Sequence, residues 1–125
     1  MRTRIAFIAA LASLALAAAS ATPASAHGYK VLYAFCGNQL CPDGFSPSAL
    51  AADGAGNLFG TTRGGGAHGA GSIFELRRRA NGGYKFEQLY SFCSQTNCLD
   101  GQLPNGAPVI DTSGNLYGTA LAGGE

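Results

Sequence analysis

The chain has 125 residues, with 8 Lys and Arg, 7 Asp and Glu, 19 Gly and 4 Cys. Charged residues make up only 12% of the chain and the net charge is +1, so the sequence has no basic field for holding nucleic acid or an anionic membrane. All 19 glycines lie after residue 27 without a collagen period. Interspersed with aromatic and aliphatic residues, they predict an all-β chain of short strands joined by tight turns.

The first 26 residues have the features of a secretory signal peptide. Arg2 and Arg4 form a positive start, residues 5–19 are apolar, and residues 24–26 read Ala-Ser-Ala. This combination predicts export with cleavage before His27. A transmembrane anchor is the alternative, but the apolar run is shorter than the ~20 residues that a bilayer needs. The mature part, residues 27–125, then has 6 basic and 7 acidic side chains.

Strand patterns succeed one another along the mature part. Residues 29–35 and 84–92 alternate, with Tyr84, Phe86, Tyr90 and Phe92 on one predicted face. Short apolar runs at 48–52 and 107–110 predict a second strand type, 57–62 a third and 71–77 a fourth. An Asp-x-x-Gly-Asn hairpin turn joins the second type to the third. Glycine-rich loops occupy residues 64–66 and 69–71.

The cysteines occur as two pairs with the same spacing. Cys36 and Cys41 are separated by four residues, as are Cys93 and Cys98. In an exported chain this predicts disulfides, and although four cysteines allow three pairings, the duplication favours Cys36–Cys41 and Cys93–Cys98. A zinc site with four thiolates is the alternative, and an oxidising compartment disfavours it.

The cysteine pairs belong to a longer internal repeat. Residues 32–66 align with residues 89–124 after one inserted residue, and 17 of the 35 aligned positions are identical. Four antiparallel strands that recur every 57 or 58 residues predict a β-propeller-like architecture, with repeat 1 at about 29–83 and repeat 2 at about 84–125. The chain would hold about one and a half blades. We therefore expect an N-terminal piece of a longer protein or a truncated reading frame.

These residues resemble the GloVer tandem repeat of exported bacterial proteins. The shared pattern is Leu-Tyr-Ser-Phe, Asp-Gly, Pro, Asp-x-x-Gly-Asn-Leu-Tyr-Gly-Thr, a Gly-Gly loop and a Gly-x-Ile-Phe-x-Leu strand, over residues 32–76 and 89–124. The resemblance implies several tandem copies in a secreted or surface-anchored protein. It implies no catalytic residues, so none is assigned.

Candidate chemical sites have simpler structural interpretations. An N-terminal His27 could chelate copper, but the only other histidine, His68, lies in a glycine-rich loop. The acidic residues recur in turns, where they offer too few oxygen ligands for calcium, and a glycosidase needs one facing carboxylate pair, not one pair per repeat. No base accompanies the candidate nucleophiles. The acidic turn residues are Asp43, Asp100, Asp53 and Asp111, and the hydroxyl residues are Thr61, Thr62 and Ser72.

The sequence therefore predicts a non-enzymatic exported repeat protein that acts as a scaffold or binding surface outside the cytoplasm. No cofactor or metal is predicted, and residues 77–79, three arginines, are interpreted as a solvated strand end. Expected partners are further repeats, a second copy of the chain, or an extracellular glycan or protein. Nucleic acid is not expected as a partner, nor is a membrane span after signal cleavage. The alternative is part of a secreted propeller enzyme acting on polysaccharide.

Overall fold

The computed structural model describes residues 28–124. The predicted signal peptide, its cleavage site and His27 lie outside the described residues. Within them, no helix has the length and apolar character needed to cross a membrane.

Residues 28–124 form an all-β structure with antiparallel strand pairing. Two separate sheets succeed each other along the chain, and neither is closed into a barrel. One turn of 3₁₀-helix, Thr96–Cys98, lies between them. The strands are β1 (Phe45–Pro47), β2 (Ala51–Ala52), β3 (Leu58–Gly64), β4 (Ser72–Arg78), β5 (Tyr84–Ser91), β6 (Gln102–Ile110) and β7 (Leu116–Ala122).

The first sheet is a meander in which β3 pairs with β1 and β2 on one side and with β4 on the other, and β5 pairs with the far edge of β4. The hairpin between β2 and β3 is closed by the predicted Asp-x-x-Gly-Asn turn. There the N–H of Asp53 donates to the carbonyl of Asn57 at 3.1 Å. Gly56 in this turn has φ +84°, a backbone conformation that glycine adopts without a steric penalty.

The second sheet is the hairpin of β6 and β7, which repeats the arrangement of β1, β2 and β3. Pro104 pairs with Ala120 as Pro47 pairs with Thr62. The residue that the second repeat inserts is absorbed by an irregularity between Asn105 and Val109. The two halves of the hairpin therefore keep the register of the first repeat on both sides of the insertion.

The core lies around the middle of β4, where Phe74 is 1% exposed and Leu76 is 3% exposed. Backbone hydrogen bonds join the second repeat to the loop before β4. The N–H of Phe92 donates to the carbonyl of Gly71 at 2.9 Å, and the N–H of Leu103 donates to that of Ala70 at 2.8 Å. These bonds place the start of the second repeat directly against the first.

The structure corrects three sequence predictions of strands. Residues 29–35 form no strand; instead the rings of Tyr33 and Phe35 pack against Phe86 and Phe74 of the first sheet. The predicted strand at 48–52 is limited to β2, and β1 precedes it. In β5 the alternation breaks at Leu89, since Ile73 pairs with Tyr90 but Phe74 pairs with Gln88. This extra residue reverses the facing of the end of the strand, so Tyr90 leaves the face of Phe86.

Candidate interaction surface

Each repeat contains a disulfide loop that is fastened to the end of its own hairpin. In the first repeat Cys36 is bonded to Cys41, as the duplicated spacing favours. The carbonyl of Cys41 accepts hydrogen bonds from the N–H groups of Gly44 and Gly66, at 2.9 and 3.1 Å. In the second repeat the bonded pair is Cys93–Cys98, and Cys98 accepts from Gly101 and Gly124 at 2.9 and 3.0 Å.

Asp43 connects the first disulfide loop to the aromatic segment that precedes it. Its carboxylate accepts a hydrogen bond of 2.9 Å from the hydroxyl of Tyr33 and bonds of 3.1 and 3.2 Å from the N–H of Cys36. Burial raises the pKa of Tyr33, and the hydrogen bond to the Asp43 carboxylate raises it further. The carboxylate thus fixes the segment 33–36 in place, a role beyond that of a turn residue.

Asp100 performs the same function in the second repeat with more donors. It accepts hydrogen bonds from the hydroxyl of Tyr90 at 2.5 Å, the N–H and hydroxyl of Ser94 at 2.9 and 2.8 Å, and the N–H of Gln95 at 3.2 Å. The Tyr90 bond is the main cause that lowers the pKa of Asp100. Sequence reasoning missed this pairing. The signal was the same ten-residue separation from Tyr33 to Asp43 and from Tyr90 to Asp100.

Asp53 and Asp111 are turn residues, in agreement with their interpretation from sequence. One oxygen of Asp53 accepts from the N–H groups of Ala55 and Asn57, both at 2.9 Å, and the other accepts from the Asn57 side-chain amide at 2.8 Å. This side-chain bond is the first cause that lowers the pKa of Asp53. Asp111 makes the same set with Ser113 and Asn115, with an added bond from the Tyr117 hydroxyl at 3.1 Å.

Aromatic rings from residues 29–35 cover the first sheet. The ring of Tyr33 stacks on Phe86 with centroids 4.5 Å apart, and Phe35 packs edge-on against Phe74 at 4.9 Å and Phe86 at 5.7 Å. Burial of such rings is the main apolar contribution of this unit to stability. A cleft of about 310 Å³ remains beside Tyr29, Leu50 and the rings of Tyr33, Phe35 and Phe74. Tyr29 is 93% exposed there.

A second cleft, which we call the open cleft, lies between the two repeats. It has a volume of about 260 Å³. Phe92, which aligns with Phe35, contributes a ring to it, and among the described rings Phe92 contacts only Tyr90, at 5.3 Å. The rest of its lining comes from both repeats: Thr61, Ile73, Asp100, Pro104, Pro108, Leu116, Tyr117, Gly118, Thr119 and Ala120.

The hydroxyl groups considered as nucleophiles are all engaged in structural hydrogen bonds. Thr62 and Ser72 bond to each other at 2.8 Å, and the hydroxyl of Thr61 donates to the carbonyl of Gly106 at 3.0 Å. This last bond crosses from the first sheet to the second. These contacts support the structural interpretation of all three side chains.

One buried carboxylate was not singled out from sequence. Glu75 is 6% exposed, and its carboxylate lies 2.9 Å from the guanidinium of Arg77, which also reaches Glu87 at 3.3 Å. The two carboxylates beside it raise the pKa of Arg77, with the Glu75 hydrogen bond first among the causes. Arg77 therefore balances two acidic neighbours, while Arg78 and Arg79 are exposed as expected for a solvated strand end.

Within residues 28–124 no three His, Cys, Asp or Glu side chains come together as a metal site. His68 is exposed in the loop before β4, and the copper hypothesis also involves His27, which lies outside the described residues. Comparison with protein-family models, with curated proteins and with solved structures finds no match for this chain.

Proposed function

We propose that this chain is an exported, non-enzymatic repeat protein whose β units form a propeller-type scaffold or binding surface outside the cytoplasm. The observation that carries the proposal is that the two repeats share left-handed backbone angles at several corresponding positions, including one where the residue differs. Such repetition is typical of proteins in which each unit packs only against its neighbours and the array presents a surface.

The unusual backbone angles repeat even where the residue changes. Ser46 has φ +52° and its counterpart Leu103 has φ +55°, although a side chain disfavours this left-handed region. The fold of the unit therefore imposes the angle on both residues. Other pairs with closely similar positive φ are Cys36 and Cys93, Cys41 and Cys98, Gly44 and Gly101, Gly56 and Gly114, and Gly65 and Gly123.

The contacts between units support a modular array. The hydrogen bonds from Phe92 to Gly71 and from Leu103 to Ala70 use backbone atoms of the loop before β4. Backbone contacts do not depend on side-chain identity, so the same junction can recur between later units. The resemblance of the repeat to GloVer sequences supports this tandem arrangement as well.

Export is supported by the signal-peptide pattern and by the two disulfides. Disulfides form and persist in oxidising compartments, which lie outside the bacterial cytoplasm. Each disulfide also closes a short loop directly after an aromatic segment and so limits the unfolding of that loop.

The test is to express the whole chain with its own leader in a bacterial host and to study the exported product. Intact mass should show a chain that begins at His27. The product is then incubated with a panel of soluble and insoluble polysaccharides, with heat-treated product as the control. We expect no release of reducing ends above that control. Release that only the untreated product gives would overturn the non-enzymatic proposal in favour of the polysaccharide-enzyme alternative, and a cytosolic product that retains Met1 would overturn export.

A further inference from the structure

The outer edge of β7 lacks the neighbour that its counterpart β3 has. In the first sheet β3 pairs with β1 and β2 on one side and with β4 on the other. In the second sheet β7 pairs with β6, and among the described strands none pairs with its other edge. Since a strand edge presents free N–H and C=O groups, it is a template for another strand.

Two glycines at the same position of the repeat show what is missing. A Cβ atom added to Gly60 in β3 would lie 2.5 Å from the ring atom Cζ of Phe74 in β4. A Cβ atom added to Gly118 in β7 would have no described atom within 4 Å. The first repeat therefore uses glycine because a phenylalanine ring lies on it, and the second repeat has the glycine without the ring.

The corresponding residues Asn57 and Asn115 also indicate that β7 lacks a neighbouring strand. The side-chain oxygen of Asn57 accepts a hydrogen bond of 2.9 Å from the N–H of Arg78 at the end of β4. The side-chain amide of Asn115 donates to Asp111 at 2.8 Å, as that of Asn57 donates to Asp53. Among residues 28–124 no donor bonds to its side-chain oxygen. That acceptor is placed to receive the N–H of a strand beside β7.

The open cleft provides the space for the side chain. It is lined by Phe92 and Gly118, which correspond to Phe35 and Gly60 around the ring of Phe74. A cavity of about 260 Å³ is large enough for a phenylalanine side chain, and aromatic rings pack favourably at the 4.5–7 Å centroid distances that Phe35 and Phe74 show.

We propose that the open cleft and the edge of β7 bind an extended strand of a partner polypeptide with the β4 pattern, small-Ile-Phe-x-Leu, antiparallel to β7. The register of β3 with β4 places the phenylalanine opposite Gly118 and the leucine opposite Leu116. The partner is a free strand and not β4 of a second copy, because that β4 is paired on both edges. This inference rests on the modular repeat of the proposed function.

The probe is a peptide of residues 71–79, Gly-Ser-Ile-Phe-Glu-Leu-Arg-Arg-Arg, with a photoreactive benzoylphenylalanine in place of Phe74. Irradiated with the exported chain, it should form adducts that peptide mapping places at Phe92 and on β7. A fluorescent peptide with native Phe74 should bind saturably, and Phe74→Ala in the peptide should weaken binding at least about 10-fold, since the ring is the main buried group. Equal binding of a scrambled peptide, or adducts spread over the chain, would overturn the proposal.

Matched variants locate the binding. Gly118→Val adds atoms where the peptide ring would lie, so the variant should keep the thermal melt of the parent chain and lose the adducts. Leu121→Val, on the same strand but outside the cleft lining, should keep both. Full peptide binding by Gly118→Val would overturn the proposal. The export and polysaccharide assays are read without the peptide, so a failure here is distinguishable from a failure of the proposed function.

Discussion

Thr62 and Ser72 share a hydrogen bond of 2.8 Å between two side chains that are both fully buried. The hydroxyl of Thr62 also accepts a bond of 3.1 Å from the N–H of Ser72. The pair joins β3 to β4 at the end where the first sheet contacts the second repeat. In the second repeat the position of Thr62 is taken by Ala120, so this polar link is specific to the first unit.

Thr62→Val should lower the free energy of unfolding by about 1–3 kcal/mol, because it keeps the shape of the side chain but removes two hydrogen bonds made by buried groups of Ser72. Urea denaturation monitored by circular dichroism measures the change. Thr119→Val is the matched control, since Thr119 is exposed and should tolerate the change within about 0.5 kcal/mol. Equal effects of the two variants would contradict the structural role of the pair.

Acid should destabilise the protein through Asp100. Its pKa is lowered in the folded chain from an ordinary value of 3.8, mainly by the Tyr90 hydroxyl. A lowered folded pKa gives stability that is fully present above the ordinary value and is lost as the pH falls below it. Thermal melts from about pH 6 to about pH 2 should therefore show a decline below about pH 4. Asp100→Asn should flatten that decline, and a variant with the same pH dependence as the parent would contradict the assignment.

The disulfide pairing is accessible to peptide mapping without reduction. We expect fragments that link Cys36 to Cys41 and Cys93 to Cys98. A linkage between repeats, such as Cys36 to Cys93, would contradict the independent units. Reduction should destabilise each loop by ~2 kcal/mol, less than for longer loops because little chain entropy is removed by so short a closure. Melts with and without reductant measure this change.

The open edge of β7 should make the exported chain self-associate. Exposed edges pair with other chains, and terminal repeats without a cap are poorly soluble. Replacing Glu125 with a copy of residues 67–91 supplies the second sheet with its own β4 and β5. Size-exclusion chromatography should show aggregates or oligomers for the parent and a monomer for this extended chain.

The control for the extended chain carries Phe74→Ala in the appended copy only. It retains the length and the strand pattern but not the ring that would lie on Gly118, so it should remain associated. A sharp melt from a monomeric parent chain would show that the two units cover the edge of β7 between them. The open-edge interpretation would then be wrong.

Much of the fold could be predicted from local sequence. The Asp-x-x-Gly-Asn turns, the all-β class and the antiparallel hairpins arise from short-range patterns, and the structure has them. The facing of Tyr90 could not be predicted, because an extra residue at Leu89 is set by pairing with β4. Likewise, residues 29–35 have a strand pattern, but their rings pack on Phe74 and Phe86 of the first sheet, contacts that join residues far apart in the chain.

The sequence by itself determined the repeat, its turns and the positions of the two disulfide loops, because each depends on residues close together in the chain. Only the tertiary structure decided which of the repeated residues contact a neighbouring strand. Gly60 and Gly118 occupy the same position of the repeat, and so do Asn57 and Asn115. The neighbouring strand β4 contacts Gly60 and Asn57, and no described strand contacts Gly118 or the side-chain oxygen of Asn115. Sequence identity specifies what a position can bind, and strand pairing over long separations determines whether a partner is present.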